Sequence, residues 1–156
     1  MFAKSKSLRG VVGALGLGLA LVAPASSAQD MIRHNSEATE KLGLPFSEAV
    51  QVGNMLYLSG QLGNFPGTMT LAEGGIEGEA HQTMKNIKAT LERYGSSMDH
   101  MVRCTVFLAD ISEWPAFNEV YKTYFNNGYP ARSAFATTGL ALDARVEVEC
   151  MAVVPE

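Results

Sequence analysis

Cysteine, histidine and basic residues are scarce in this chain. Its 156 residues include two cysteines, three histidines and one tryptophan, and 12 lysines and arginines stand against 16 aspartates and glutamates. The cysteines are far apart and no two histidines are spaced to share a helix face, so no metal-ligand pattern is present. A glycine-rich phosphate loop and a Ser-His-Asp spacing are also missing. We therefore expect no bound metal and no other cofactor.

Long hydrophobic runs are confined to the N-terminus. Lys4, Lys6 and Arg9 precede an uncharged apolar run over residues 11–23, and small residues then lead to Ala28. A basic start, an apolar stretch shorter than the roughly 20 residues of a membrane span, and a small-x-small site are typical of a secretory signal peptide. We predict cleavage after Ala28, no membrane anchor afterwards, and export to the periplasm or the exterior.

Negative charge dominates what remains after the predicted cleavage. Nine basic residues then stand against sixteen acidic ones, which gives a net charge of −7. An acidic surface repels a phosphate backbone and gains nothing from counterion release. Nucleic acid is therefore not an expected partner.

The rest of the chain divides into an arm and one domain. Residues 29–44 are polar and aperiodic and are expected to form an N-terminal arm of uncertain order, whereas residues 45–156 suffice for one hydrophobic core. The domain should begin with a hairpin that turns at Gly53 and Asn54. Residues 61–78 are rich in glycine, proline and threonine, which favours a loop with at most one short strand.

Two helices alternate with the remaining strands. Apolar residues recur every three or four positions over residues 79–94, and aromatic residues do so over 114–125. We interpret the aromatic stripe as core packing. Strands are predicted at 101–109, around Arg132 and over 145–154. This order predicts an α+β domain, a mixed sheet with two helices packed on one face.

Smaller signals accompany these elements. Asp110 and Glu113 are spaced as a capping box for the second helix. Cys104 and Cys150 lie in apolar, strand-like runs, where two buried free thiols are the favoured interpretation. In an exported protein a disulfide between them is the alternative, provided that the strands are neighbours. Neither cysteine is expected to be catalytic.

One arginine and two glutamates lie in neighbouring β-type segments near the C-terminus. Arg132 follows Pro130 and Ala131, and alternation puts Glu147 and Glu149 on the same face of the last strand. A guanidinium binds a carboxylate bidentately, and a nearby carboxylate can orient water or move a proton. The alternative is a structural ion pair at a sheet edge or subunit interface. Spacing alone does not separate the two glutamates.

Seven short motifs in one order carry a resemblance to a known family. They are Phe46-Ser-Glu-Ala-Val50, Leu58-Ser-Gly-Gln61, Asn86-Ile-Lys-Ala-Thr-Leu-Glu92, Val106-Phe-Leu-Ala-Asp110, Phe117-Asn-Glu-Val-Tyr121, Pro130-Ala-Arg-Ser133 and Val146-Glu-Val-Glu149. Together they resemble the reactive intermediate deaminases, the Rid or YjgF family, over nearly all of residues 45–154. The resemblance implies a chorismate-mutase-like fold and a homotrimer with ligand clefts between subunits. It also implies hydrolysis of small enamine and imine carboxylates, of the 2-aminoacrylate or 2-iminopropanoate type, to a 2-oxo acid and ammonia.

The same resemblance gives roles to single residues. Arg132 is expected to bind the carboxylate of the substrate, and Glu147 to orient the attacking water. Further substrate or water contacts are expected at Gly60, Ser133, Ala134 and Asn118.

Departures from the family pattern leave a second function open. Phe46 stands where deaminating members usually carry a tyrosine, so a hydroxyl group is missing from the predicted cleft. Ala134 stands where many members carry a cysteine, which argues against a thiol role. The alternative function is a non-catalytic trimer of the cell envelope that binds a small carboxylate in the same clefts.

Overall fold

A mixed sheet forms the centre of residues 29–156, the part of the chain described by this computed structural model; the predicted signal peptide lies outside the described residues. Its strands are β1 (Met31–His34), β2 (Ala49–Val52), β3 (Met55–Leu58), β4 (Gln61–Leu62), β5 (Met101–Leu108), β6 (Ala131–Ala136) and β7 (Val146–Val153). Six strands follow the order β1-β2-β3-β7-β5-β6, and β4 pairs with β7. Only the β5–β6 pair is parallel among these described strands. The predicted α+β fold is confirmed.

Glycine at position 53 closes the predicted hairpin. β2 and β3 pair in antiparallel register from Ala49 opposite Leu58 to Val52 opposite Met55. Gly53 has a φ of 59°, a left-handed conformation that the tight hairpin turn requires and that glycine adopts without strain. The turn signal in the sequence therefore fixes the register of this pair.

Three α-helices accompany the sheet in the described residues: α1 (Glu37–Leu42), α2 (Gly75–Arg93) and α3 (Trp114–Tyr121). The last two cover one face of the sheet. Their buried faces meet the alternate residues of β5 and β7 in a single core that includes Met84, Ile87, Leu91, Phe117, Val106, Val146 and Val148. Pro115 lies in the first turn of α3, where its missing N–H costs little.

Two local predictions at the helix ends need correction. α2 begins at Gly75 rather than Glu79, because Ile76 packs against the core and holds a glycine-rich first turn that propensity disfavours. The capping box is wrong: Asp110 accepts a hydrogen bond from the backbone N–H of Ser112 at 2.8 Å, but Glu113 turns away and pairs with Arg145. The stronger partner for the Glu113 carboxylate is thus a guanidinium rather than a backbone amide.

The arm is ordered and extends the sheet. β1 pairs with β2 from Met31 to His34, and α1 follows with Ser36 as its N-cap. The backbone N–H of Ser36 donates to Glu48 at 2.9 Å, and Glu48 also accepts from Arg93 at 2.7 Å. Periodicity does not reveal this segment, because an edge strand with both faces exposed shows no alternation of burial.

A disulfide joins Cys104 to Cys150, so the preference for free thiols is wrong. β5 and β7 are antiparallel neighbours, and their register places the two cysteines directly opposite each other with Cα atoms 4.2 Å apart. Both side chains are almost completely buried. The sequence does not reveal this pairing, because it depends on which strands are neighbours and on their register.

Candidate active site

Arg132 is held on the helix-facing side of β6. Its Nη2 donates to Asn118 Oδ1 at 2.6 Å, and its guanidinium lies 4.6 Å from the ring centroid of Tyr121 and 5.7 Å from that of Phe117. These contacts combine an oriented amide with two aromatic faces that attract the cation. Arg132 forms no ion pair with any carboxylate in residues 29–156. A positioned, half-buried guanidinium with no carboxylate partner in its own subunit suits an external carboxylate.

The ring of Tyr121 packs against this guanidinium. Its side chain is 4% exposed, and its hydroxyl has no hydrogen-bond partner in the described part of the chain. Burial raises the pKa of Tyr121 to about 12, and the charge of Arg132 offsets this only in part. The phenol therefore stays neutral and presents its ring face to the cation. The sequence shows Tyr121 and Phe117 as members of an aromatic stripe, and the spacing of Tyr121 three residues after Asn118 is the signal that these two side chains share one helix face.

Glu147 lies against Gly60 on the opposite face of the sheet. A Cβ at residue 60 would overlap the Glu147 Oε1 atom, so only glycine lets the carboxylate approach the backbone there. Burial, and then the negative charge of Glu149, raise the pKa of Glu147 above its ordinary value. Glu149 is exposed. The surroundings of Glu147 therefore raise its affinity for a proton, which suits a group that accepts a proton from water.

Arg132 and Glu147 do not meet within one subunit. Arg132 is opposite Cys104 on β5, whereas Glu147 is opposite Phe107, three residues further along that strand. At about 3.3 Å per residue and about 4.8 Å per strand, the two backbone positions are about 14 Å apart, and their side chains point to opposite faces. A structural ion pair at a sheet edge of one subunit is therefore excluded, and an ion pair at a subunit interface stays a prediction.

The other predicted residues divide between these two groups. Asn118, expected to contact substrate or water, accepts a hydrogen bond from Arg132. Ser133 lies on the face of Glu147, within 3.4 Å of Arg103, whereas Ala134 packs against the core on the helix side. Neither side chain contacts a catalytic candidate, which leaves only the backbone contacts that the resemblance implies.

Phe46 and Gly60 both line a cavity of about 250 Å³. The cavity lies between the α1 arm, the loop after β4 and the outer side of α2, and Phe46 is 50% exposed at its wall. Gly60 thus contacts the Glu147 carboxylate and borders this cavity. Two groups result: Arg132 with Asn118 and Tyr121, and Glu147 with Gly60, which borders the cavity that Phe46 also lines.

In residues 29–156 no group of three or more histidine, cysteine, aspartate or glutamate side chains is arranged to hold a metal ion. The same residues contain no helix long and apolar enough to cross a bilayer.

Comparison with known proteins identifies the family. The sequence profile described as Endoribonuclease L-PSP matches residues 38–154. A protein of Capra hircus named 2-iminobutanoate/2-iminopropanoate deaminase is 41% identical over 128 residues, which are 82% of this chain and 93% of the goat protein. The crystal structure of a yeast protein aligns with a TM-score of 0.75 at 37% identity, covering 81% of this chain and 100% of the yeast chain. RidA from the Antarctic bacterium Psychrobacter aligns with a TM-score of 0.69 at 34% identity, covering 82% of this chain and 99% of RidA. The chain therefore belongs to the Endoribonuclease L-PSP family, the family of the Rid and YjgF proteins.

Proposed function

We propose that this protein hydrolyses small 2-imino carboxylates to 2-oxo acids and ammonia. The observation that carries the proposal is Arg132, a guanidinium positioned by Asn118 and Tyr121 with no carboxylate partner among residues 29–156. The goat relative, 41% identical, is named for deamination of 2-iminobutanoate and 2-iminopropanoate. A substrate of that kind carries one carboxylate beside its C=N bond, which suits a single positioned guanidinium.

The reaction needs three contributions from the protein. Arg132 binds the carboxylate and so fixes the adjacent C=N carbon. Glu147 accepts a proton from a water molecule as the water oxygen bonds to that carbon, and the C=N π electrons move to nitrogen. The proton on Glu147 then passes to the amino nitrogen of the tetrahedral intermediate. Glu147 then takes the proton of the hydroxyl group and delivers it to the same nitrogen; the C–N bond breaks, ammonia leaves, and the oxygen becomes the carbonyl of the 2-oxo acid.

The active unit in this proposal is a homotrimer, in which Arg132 of one subunit faces Glu147 of the partner subunit. Within one subunit the two groups lie on opposite faces of the sheet. None of the helices in residues 29–156 covers the face that carries Glu147, which exposes large apolar side chains at Tyr57, Phe135 and Met151. Apolar side chains clustered on a bare sheet face favour burial against another copy of the chain.

Carboxylate binding without turnover is the second candidate, and Phe46 favours it. Its ring borders the same cavity as Gly60 but offers no hydroxyl to a substrate or a water molecule. In this case Arg132 would still hold the ligand, but the imine would not be hydrolysed faster than in water.

Export is a separate proposal that two observations support. The pattern of residues 1–28 is that of a cleaved signal peptide. A disulfide such as Cys104–Cys150 persists mainly in oxidising compartments. Mass spectrometry of the protein recovered from the cell envelope or medium should give a chain that begins at Gln29. A chain that retains Met1 inside the cell would contradict export.

The activity is tested with 2-iminopropanoate produced in place by an amino-acid oxidase acting on alanine. The mature protein should shorten the lifetime of the imine, and Arg132→Ala should abolish the effect, because the carboxylate loses its charge-assisted bonds. Arg33→Ala is the matched control, since Arg33 is an exposed arginine on the edge strand β1. An unchanged lifetime with a folded trimer, together with pyruvate binding that Arg132→Ala removes, would instead support carboxylate binding.

A further inference from the structure

The cavity of about 250 Å³ adjoins the Glu147 part of the proposed site. Gly60 forms part of its wall and contacts the Glu147 carboxylate. Leu62, directly opposite Glu147 in the β4–β7 pair, also forms part of the wall. Two residues of the cavity wall, Gly60 and Leu62, thus adjoin Glu147, the group that is proposed to activate water.

Polar groups in the cavity wall are already paired with one another. Glu48 accepts hydrogen bonds from Arg93 at 2.7 Å and from Thr90 at 3.1 Å. The Asn86 amide donates to the backbone carbonyls of Leu62 at 2.9 Å and Asn64 at 2.8 Å. The cationic side chain in this wall, Arg93, is therefore already paired with Glu48. A second carboxylate on the substrate would be bound poorly in the cavity.

The remaining wall is apolar. It includes Leu42, Leu44, Phe46, Leu62, Met69 and Leu142. Leu142 and its neighbour Asp143 have φ values of 62° and 58°, a left-handed conformation that L-residues rarely adopt. Such backbone persists where the surroundings over-determine it and is frequent at ligand sites. Here it places a leucine at the cavity wall.

We propose that this cavity receives the side chain of the substrate and that the preferred substrates are 2-imino acids with large apolar side chains. The inference rests on the proposed function, because it takes the C=N carbon to lie beside Glu147. A methyl group, about the size of the roughly 30 Å³ that one water molecule occupies in the liquid, fills only a small part of the cavity. An isobutyl or methylthioethyl group fills more of it and transfers more apolar surface out of water.

A substrate series tests the preference. An amino-acid oxidase produces the imines of alanine, leucine and methionine, and kcat/KM is measured for each with the mature protein. We expect kcat/KM for the leucine- and methionine-derived imines to exceed that for 2-iminopropanoate at least tenfold, because each carbon buried in an apolar pocket adds to discrimination. Equal or lower values, with 2-iminopropanoate still hydrolysed, would overturn the pocket and leave the deaminase function standing.

A matched pair of variants tests the location. Ala89 lies on the exposed side of α2 and lines the cavity, whereas Lys85 lies one turn earlier on the same helix and does not line it. Ala89→Met should reduce the ratio of the leucine-derived to the alanine-derived kcat/KM by about tenfold, and Lys85→Met should leave the ratio unchanged. Methionine is a good helix former, so neither change should impair folding. The same ratio in both variants would place the preference elsewhere.

Product binding gives a readout that does not depend on turnover. The mature protein should bind 4-methyl-2-oxopentanoate at least about tenfold more tightly than pyruvate, and Ala89→Met should remove this difference. Equal binding of the two 2-oxo acids would overturn the pocket. The expected binding difference without any imine hydrolysis would keep the pocket and overturn the deaminase function.

Discussion

The two faces of the sheet support their functional residues in different ways. On the helix-covered face, Arg132 is held by contacts from its own subunit, with Asn118 at 2.6 Å and the Tyr121 ring at 4.6 Å. On the bare face, Glu147 rests on Gly60 but lies among apolar side chains that remain exposed. One face is complete in the single chain, and in the proposed trimer the other is completed by a neighbouring subunit. The site is therefore expected to form upon assembly.

The largest effect is expected from blocking that assembly. Phe135 is 46% exposed on the bare face and packs edge-on against Phe107 with ring centroids 5.1 Å apart. Phe135→Glu puts a charge where the proposed trimer buries apolar surface, so sedimentation should show monomers and the imine hydrolysis should disappear with the trimer. Met31→Glu, at an exposed position on the edge strand β1, should remain trimeric and active. A monomeric Phe135→Glu protein with full activity would mean that one subunit contains a complete site.

The next largest effect should separate the two glutamates of β7. Glu147→Gln keeps the shape but removes the proton acceptor, so kcat should fall about 10²- to 10⁴-fold with a smaller change in KM. Because the folded-state pKa of Glu147 is raised above its ordinary 4.5, the rate should rise with pH through a pKa above that value, and Glu147→Gln should lose this dependence. Glu149→Gln is the control: the residue is exposed and should change the rate little. Equal losses in both variants would show that the two carboxylates act together.

A smaller effect, on KM, is expected when the aromatic ring that packs against Arg132 is removed. Tyr121→Leu removes a ring face, and a desolvated cation–π contact of about 2 kcal/mol corresponds to a KM rise of roughly thirtyfold. Tyr121→Phe keeps the ring and loses only a buried hydroxyl without a partner in the described residues. Its KM should therefore equal that of the unmodified protein, and its stability should not be lower. Phe125→Leu removes a ring that packs on Tyr121 at 4.7 Å and is the control for general repacking. If Phe125→Leu raises KM as much as Tyr121→Leu, the role of Tyr121 is packing alone.

Periodicity and motifs predict the parts of this fold that depend on neighbours in sequence. The hairpin at Gly53 and the apolar faces of α2 and α3 follow from local patterns. The family motif indicates Asn118 as a substrate or water contact, and the structure adds that it lies beside Arg132.

Features that depend on strand order and register are not contained in such patterns. The Cys104–Cys150 disulfide requires β5 and β7 to be neighbours in one specific register. β1 shows no alternation because it lies at the edge with both faces exposed. Tyr121 looks the same in sequence whether it fills a core or supports a cation. The separation of Arg132 from Glu147 likewise appears only when the faces of β6 and β7 are assigned.

The smallest expected effect is on thermal stability. It concerns Glu48, which binds the N-terminal arm through the backbone N–H of Ser36. Burial alone would raise the pKa of Glu48, but hydrogen bonds from Tyr94 and Ser36 and the charge of Arg93 outweigh it, and the net pKa is lowered below 4.5. A lowered folded-state pKa contributes stability that is present above the unfolded pKa and is lost as pH falls through the folded value. The melting temperature should therefore decline as pH falls below about 4.5, and Glu48→Gln should melt lower at pH 7 with a weaker decline. Glu37→Gln removes an exposed carboxylate of the arm and should leave both unchanged; an equal change in both variants would mean that Glu48 does not hold the arm.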